Sequence, residues 1–303
     1  MRHPTKLLSL ATLAALLTTV DVAASQRPGF SEETRSLLTQ TEPAAAQPPS
    51  FLAATRSLRQ MPLHLAQADD RQAEAARLFN QGLQQFNTGQ VRDAIVSWEQ
   101  ALEIIRAIEN LGAEGAVLNA LGAAYSNLAQ YEQAIELHEE ALTIAREIGD
   151  RQGEGNALGN LGIAYRNLGQ YQTAIDFYEQ RLAIAREIGD RRGEGSALVG
   201  LGNAYADLGQ YQTAIDFYEQ QLVITREIGD RQGEGIALGN LGTAYAIIGQ
   251  SEQALEQYQQ ALSVAQEIGD RSGEGLWLSN MGALLARQDQ PELAIVFYKQ
   301  SVN

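Results

Sequence analysis

The chain offers few groups that could do chemistry on a substrate. It has three histidines, His3, His64 and His138, and no cysteine. Zinc binding or nucleophilic catalysis needs several such groups converging, and no thiolate or second nearby histidine is available for His138. The 37 acidic residues include pairs such as Asp150 and Glu154. A calcium loop alternates its oxygen ligands, however, and here arginine and glycine stand between them. Such pairs read instead as helix caps and as inter-repeat ion pairs with Arg151, Arg191, Arg231 and Arg271. Gly153, Gly155, Gly159 and Gly162 are closely spaced, but a phosphate-cradling loop follows a strand, and no strand pattern occurs in the chain. No catalytic group, cofactor or metal is expected. What remains are asparagines and their neighbours. Positions 156, 160, 163 and 167 are spaced 4, 3 and 4, so Asn156, Asn160, Ile163 and Asn167 form one stripe on a helix. Asparagine is a poor helix-interior residue, and several recur here with no cap to make. A carboxamide both donates and accepts, so a row of them can pair with the main chain of an extended peptide.

The elements that carry this stripe follow from a repeat. Gly82, Gly122, Gly162, Gly202, Gly242 and Gly282 are spaced by 40, as are Ala94, Ala134, Ala174, Ala214, Ala254 and Ala294. A fixed period near 40 signals stacked units. Within one unit, Leu158, Leu161, Gly162 and Tyr165 fall at i, i+3, i+4 and i+7, on one helix face. Ala174, Tyr178 and Leu182 do the same at i, i+4 and i+8. Gly169 stands where a left-handed C-cap is wanted, and Asp150 where an N-cap is. Each unit therefore predicts two antiparallel helices, with Gly162 and Ala174 allowing close approach and Tyr165 and Tyr178 filling the space beside them. One pair cannot bury both its faces, so the pairs must stack.

At Leu158, Leu161-Gly162, Tyr165, Ala174 and Tyr178 the unit resembles the tetratricopeptide repeats, in their 40-residue variety found in kinesin light chains, Leu-Gly-Asn adaptors and bacterial proteins. Arg181 and Gln221 depart from the family's alanine, which Ala101, Ala141 and Ala261 keep. The resemblance implies an all-α, right-handed α-solenoid of six helix-turn-helix repeats, at about 68–108, 109–148, 149–188, 189–228, 229–268 and 269–303. It also implies that the first helices line a concave groove. Carried onto this chain, that groove holds Asn119, Asn127, Asn156, Asn160, Arg166, Asn167, Asn203, Asp207, Asn240, Thr243, Asn280 and Arg287. The function expected is a non-enzymatic scaffold binding an extended peptide or protein segment. The alternative is the recognition part of a peptidase or signalling system whose catalytic domain lies elsewhere. Ala294, Phe297 and Tyr298 of the last helix have no following helix to cover them, which implies either self-association there or the front part of a longer architecture.

The ends and the charge set further bounds. Residues 1–24 read as an export signal: Arg2 and Lys6, then an apolar core over Leu7–Val20, then Val22-Ala23-Ala24. A spanning helix needs about 20 apolar residues, which leaves a membrane anchor as the alternative to export into a periplasm or the exterior. Residues 25–67 hold Pro28, Pro43, Pro48, Pro49 and Pro62 and read as a tether. The net charge is −15, which disfavours nucleic acid and anionic lipid as partners. Cleavage of the signal places Ser25 first in the mature protein. Mass spectrometry of the exported fraction checks this, and an intact Met1 in the soluble cytoplasmic fraction would contradict it.

Overall fold

The computed structural model describes residues 63–301. The stretches expected to be the signal and most of the tether lie outside the described residues. These form twelve helices in six pairs: α1 (Leu63–Asn87) with α2 (Val91–Ala107), α3 (Leu111–Asn127) with α4 (Tyr131–Ile148), and α5 (Arg151–Asn167) with α6 (Tyr171–Ile188). Then come α7 (Arg191–Asp207) with α8 (Tyr211–Glu227), α9 (Arg231–Ile247) with α10 (Ser251–Ile268), and α11 (Arg271–Arg287) with α12 (Pro291–Ser301). The first helix starts at Leu63, inside the stretch expected to be tether. Among the described residues no helix is long and apolar enough to cross a membrane.

The local signals do what their residue types allow. Asp150 accepts from the Gly153 amide at 2.9 Å, and Asp190, Asp230 and Asp270 repeat this at their own helix starts. Gly169 takes φ +75° between α5 and α6, a conformation that glycine adopts without steric cost. The equivalent turns at Ala129 and Asp289 adopt it with a side chain present.

Inside each pair an aromatic or imidazole ring lies flat against bare helix backbone. A Cβ built on Gly162 would sit 2.5 Å from Cε1 of Tyr178, and one on Gly242 2.7 Å from Cδ1 of Tyr258. Trp98 covers Gly82, His138 covers Gly122, Tyr218 covers Gly202 and Tyr298 covers Gly282 in the same way. A mid-helix glycine costs about 1 kcal/mol relative to alanine. Burying a ring of roughly 150–250 Å² returns on the order of 4–6 kcal/mol, so the contact is favourable overall. Tyr165 stacks on Phe177 with centroids 5.3 Å apart, and Tyr205 on Phe217 at 5.4 Å.

Between pairs the core crosses the repeat boundary. Tyr178 and Leu182 of α6 share one buried cluster with Ala197, Leu198 and Leu201 of α7. Beside it runs a chain of charges. Glu154 is buried at the start of α5 and accepts from Arg146 Nε of the preceding repeat at 2.8 Å. Arg151 pairs with the same carboxylate and with Glu187 in α6. The set recurs as Arg186, Glu194, Arg191 and Glu227, and again as Arg226, Glu234, Arg231 and Glu267. The inter-repeat bond is thus made by Arg146, Arg186 and Arg226, whereas Arg151, Arg191 and Arg231 tie the two helices of their own repeat. The expectation that the latter bridge repeats is corrected here: they sit at the first helical position, beside their own second helix. Burial pushes the Glu154 and Glu194 carboxyls up, but their arginine hydrogen bonds outweigh it and hold both below the usual range.

The last junction is weaker. Gln266 stands where the bridging arginine would be, and Arg271 makes only a 3.4 Å contact with Glu274. In α12, Ala294 and Phe297 are buried, contrary to expectation, because α11 covers them. Ile295, Val296 and Tyr298 are the large apolar residues of α12 left exposed.

His138 replaces the tyrosine of repeats three to five. It is buried, donates through Nδ1 to Asn119 Oδ1 at 2.9 Å, and burial lowers its pKa to about 3. In the unfolded chain it protonates near 6.5, so the unfolded state binds more protons below that pH. His138→Tyr should therefore remove a loss of stability that the parent suffers as pH falls from 6.5 toward 4.5. The difference should grow by up to about 1.4 kcal/mol per pH unit, read from urea midpoints of both proteins. Parallel pH profiles would contradict this assignment.

Candidate peptide-binding groove

First helices of successive repeats touch one another, α3 with α5, α5 with α7 and α9 with α11, while second helices make no comparable contact. In a curved stack the layer whose members lie closer together is the inner one. The first helices are therefore the concave layer, the side on which the candidate groove lies.

The twelve expected groove residues do not form one uniform surface. Arg166 of α5 and Asp207 of α7 are bonded to each other, Nε to Oδ2 at 2.5 Å, with both side chains largely shielded. Asn203 accepts from the Tyr218 hydroxyl at 2.8 Å, and Thr243 Oγ1 accepts from the Tyr258 hydroxyl at 3.1 Å. Asn119 is held by His138. Asn240 is half-buried, and its amide nitrogen is sealed from solvent without a partner. Asn156 and Asn160 are half-buried on α5 and make no side-chain bond among the described residues, and Asn280 repeats this on α11. Asn127, Asn167 and Arg287 are exposed at the ends of α3, α5 and α11. Asn156 and Asn160 thus stand one turn apart on α5, and Arg166 at the far end of the same helix pairs with Asp207 of α7. Of the remainder, Asn119, Asn203 and Thr243 are held by internal partners, Asn127, Asn167 and Arg287 lie exposed at helix ends, and Asn240 and Asn280 have no side-chain partner among the described residues.

Sequence reasoning missed two groups in this region. Tyr178 is expected only to fill space beside the helix pair, yet the hydroxyls of its equivalents Tyr218 and Tyr258 reach the inner layer. Tyr218 and Tyr258 find Asn203 and Thr243 there, fifteen residues earlier in the chain. The position equivalent for Tyr178 is Ile163, which cannot accept, and the Tyr178 hydroxyl has no partner among the described residues. Burial pushes its pKa up to about 12, so at neutral pH it stays a protonated donor, with Arg166, Arg181 and Asp207 acting on it. The second group is Arg181, noted above only as a departure from alanine. It is packed against the backbone of Gly159, where a Cβ would lie 2.8 Å from its Cζ. The paired signal was an arginine at 181 facing a glycine at 159. Among the described residues no group of three or more acids and histidines could hold a metal ion.

A family description of the tetratricopeptide repeat matches residues 71–147, 113–187, 193–267 and 249–303. No curated protein matches the chain in sequence. Several solved structures are similar. BtubC from P. vanneervenii is 18% identical, with 77% of this chain and 89% of that chain covered and a TM-score of 0.59. A Rap protein complexed with Competence and Sporulation Factor is 16% identical over 76% of this chain and 74% of its own, with a TM-score of 0.62. A signal-transduction ATPase with a tetratricopeptide repeat sensor, from Pyrococcus horikoshii, is 16% identical over 77% of this chain and 37% of its own, with a TM-score of 0.66. At these identities the likeness concerns the fold. With the repeat pattern matched over most of its length, this chain belongs to the tetratricopeptide repeat family.

Proposed function

We propose that the protein is a non-enzymatic interaction scaffold that holds an extended peptide or protein segment in its concave groove. The observation that carries this reading is the pair Asn156 and Asn160. Both are half-buried carboxamides one turn apart on the inner layer, and neither has a side-chain hydrogen bond among the described residues. An extended segment has unpaired main-chain donors and acceptors at matching spacing, and a carboxamide can serve both. The Rap complex offers a precedent in the same fold, since that protein is seen with a bound factor. The sensor repeats of the Pyrococcus horikoshii ATPase support a second reading, in which the same groove recognises a signal for an effector on another chain. Export through residues 1–24 would place either function outside the cytoplasm.

Peptides selected by display on the full chain provide the test ligands. Each net hydrogen bond contributes about 0.5–1.5 kcal/mol. Asn156→Ala with Asn160→Ala should therefore weaken a selected peptide by roughly 1–3 kcal/mol, about five- to 150-fold, when measured by calorimetry. Folding should be unharmed, because alanine is the better helix former. Gln220→Ala, on the exposed side of α8, should leave affinity unchanged. If the α8 variant loses binding while the double variant keeps it, the ligand sits on the convex face.

A further inference from the structure

We propose that two copies of this chain associate through α12, the two helices lying antiparallel about a two-fold axis that passes between Ile295 and Val296. The face involved belongs to a second helix and is separate from the groove.

At earlier repeats the corresponding face is taken up by a neighbour. Ile175 and Ile215 are each 1% exposed, and Tyr178 and Tyr218 are buried in clusters that include the first helix of the next repeat. Tyr178 lies on Gly162 of its own repeat and also on Gly200 of the following one. Ile295 and Tyr298 stand at the same positions of the unit, 120 residues after Ile175 and Tyr178. Here Ile295 is 51% exposed and Tyr298 38%, with Val296 beside them at 39%. The surface that joins one repeat to the next is thus open at α12. Apolar residues exposed side by side mark an association site, whereas scattered ones do not.

The first repeat does not complement this face. Ala157, Leu161 and Ala164 of α5 are buried in a cluster shared with the preceding repeat. Their counterparts in α1 are Arg77, Gln81 and Gln84, all exposed. Arg77 bonds to Glu74 at 2.7 Å and to Gln81 at 3.0 Å, so these groups make a polar end surface. Seating isoleucine and tyrosine on it would strip that surface of water without replacing its hydrogen bonds. A second copy therefore answers α12 with its own α12, in a closed isologous pair.

The charges of α12 fit such a pair. Glu292, Ile295, Val296 and Lys299 fall at i, i+3, i+4 and i+7, and all four are exposed. Inverting one helix on the other about the point between residues 295 and 296 sets Glu292 of each copy opposite Lys299 of the other. It also sets Ile295 opposite Val296. With a net charge of −15, most of the surface resists self-association. Position 296 of the unit is acidic in repeats two to five, as Glu136, Asp176, Asp216 and Glu256. Position 299 is Glu99, Glu139, Glu179 and Glu219 in repeats one to four. In α12 valine and lysine replace these acids, which leaves a stripe apolar in the middle and oppositely charged at its two ends.

Sedimentation equilibrium of the full chain over a concentration series reads the association. A reversible monomer–dimer equilibrium is expected, with no species beyond the dimer. Val296→Glu restores the acid of repeats two to five at an exposed position, so the fold should persist by circular dichroism. Dimerisation should weaken roughly tenfold or more, because like charges then meet at the two-fold axis. Lys299→Glu and Glu292→Lys should each weaken it several-fold, and the two exchanges together should restore it. A monomer at every concentration overturns the pairing. So do association that Val296→Glu leaves unchanged, species that grow beyond the dimer, and a double exchange no better than the single ones.

Discussion

A ring laid on bare backbone is the contact on which this molecule depends. Six times, at intervals of 40 residues, a first helix presents a glycine and its second helix presents Trp98, His138 or one of four tyrosines to cover it. The contact sets the spacing inside each pair, and that spacing leaves the pair with two flat faces to share with neighbours. It also has a polar consequence. A ring pressed through the pair delivers its hydroxyl or nitrogen into the inner layer. Each repeat must then answer that group locally, as Asn203 answers Tyr218, Thr243 answers Tyr258 and Asn119 answers His138. Repeat three alone of the tyrosine-bearing repeats three to five gives no answer, and there the groove acquires an open donor.

The junctions add a second, electrostatic constraint. A carboxylate buried at the start of α5, α7 or α9 is tolerable only with its guanidinium partners in place. One partner comes from the previous repeat, so a repeat is fully compensated only when stacked. Each pair is exposed on its arginine side and contributes modestly by itself. Their value lies in register, because a slip of one residue would leave a buried acid unpaired. At the last junction Gln266 removes the bridging arginine, and Glu274 is held by Arg271 alone.

Most of the fold was legible because its signals are local and repeated. The 40-residue period, the Asp caps and the Gly162–Tyr178 relationship each needed only spacing to be seen. The inter-repeat bond was misplaced because two arginines, five residues apart, precede each of Glu154, Glu194 and Glu234, and spacing does not say which spans the boundary. The state of the groove residues was not legible either. Asn156 and Asn203 look alike in sequence, yet one is free and the other is spent on a tyrosine hydroxyl. Arg181 was visible only as a departure from alanine, since its meaning depends on Gly159 in the facing helix. Packing follows from pattern, whereas a polar group's availability follows from what a neighbouring helix needs.

The ring-on-glycine contact is tested most directly by placing Gly162→Ala in two backgrounds, the parent and Tyr178→Ala, and measuring stability by urea unfolding. Alanine favours a helix interior by about 1 kcal/mol over glycine. With the tyrosine present, its methyl meets the ring 2.5 Å away, so the exchange should destabilise the parent. With the ring removed, the same exchange should stabilise. A change of sign between the two backgrounds is the expected result, and stabilisation of both to the same extent would contradict it.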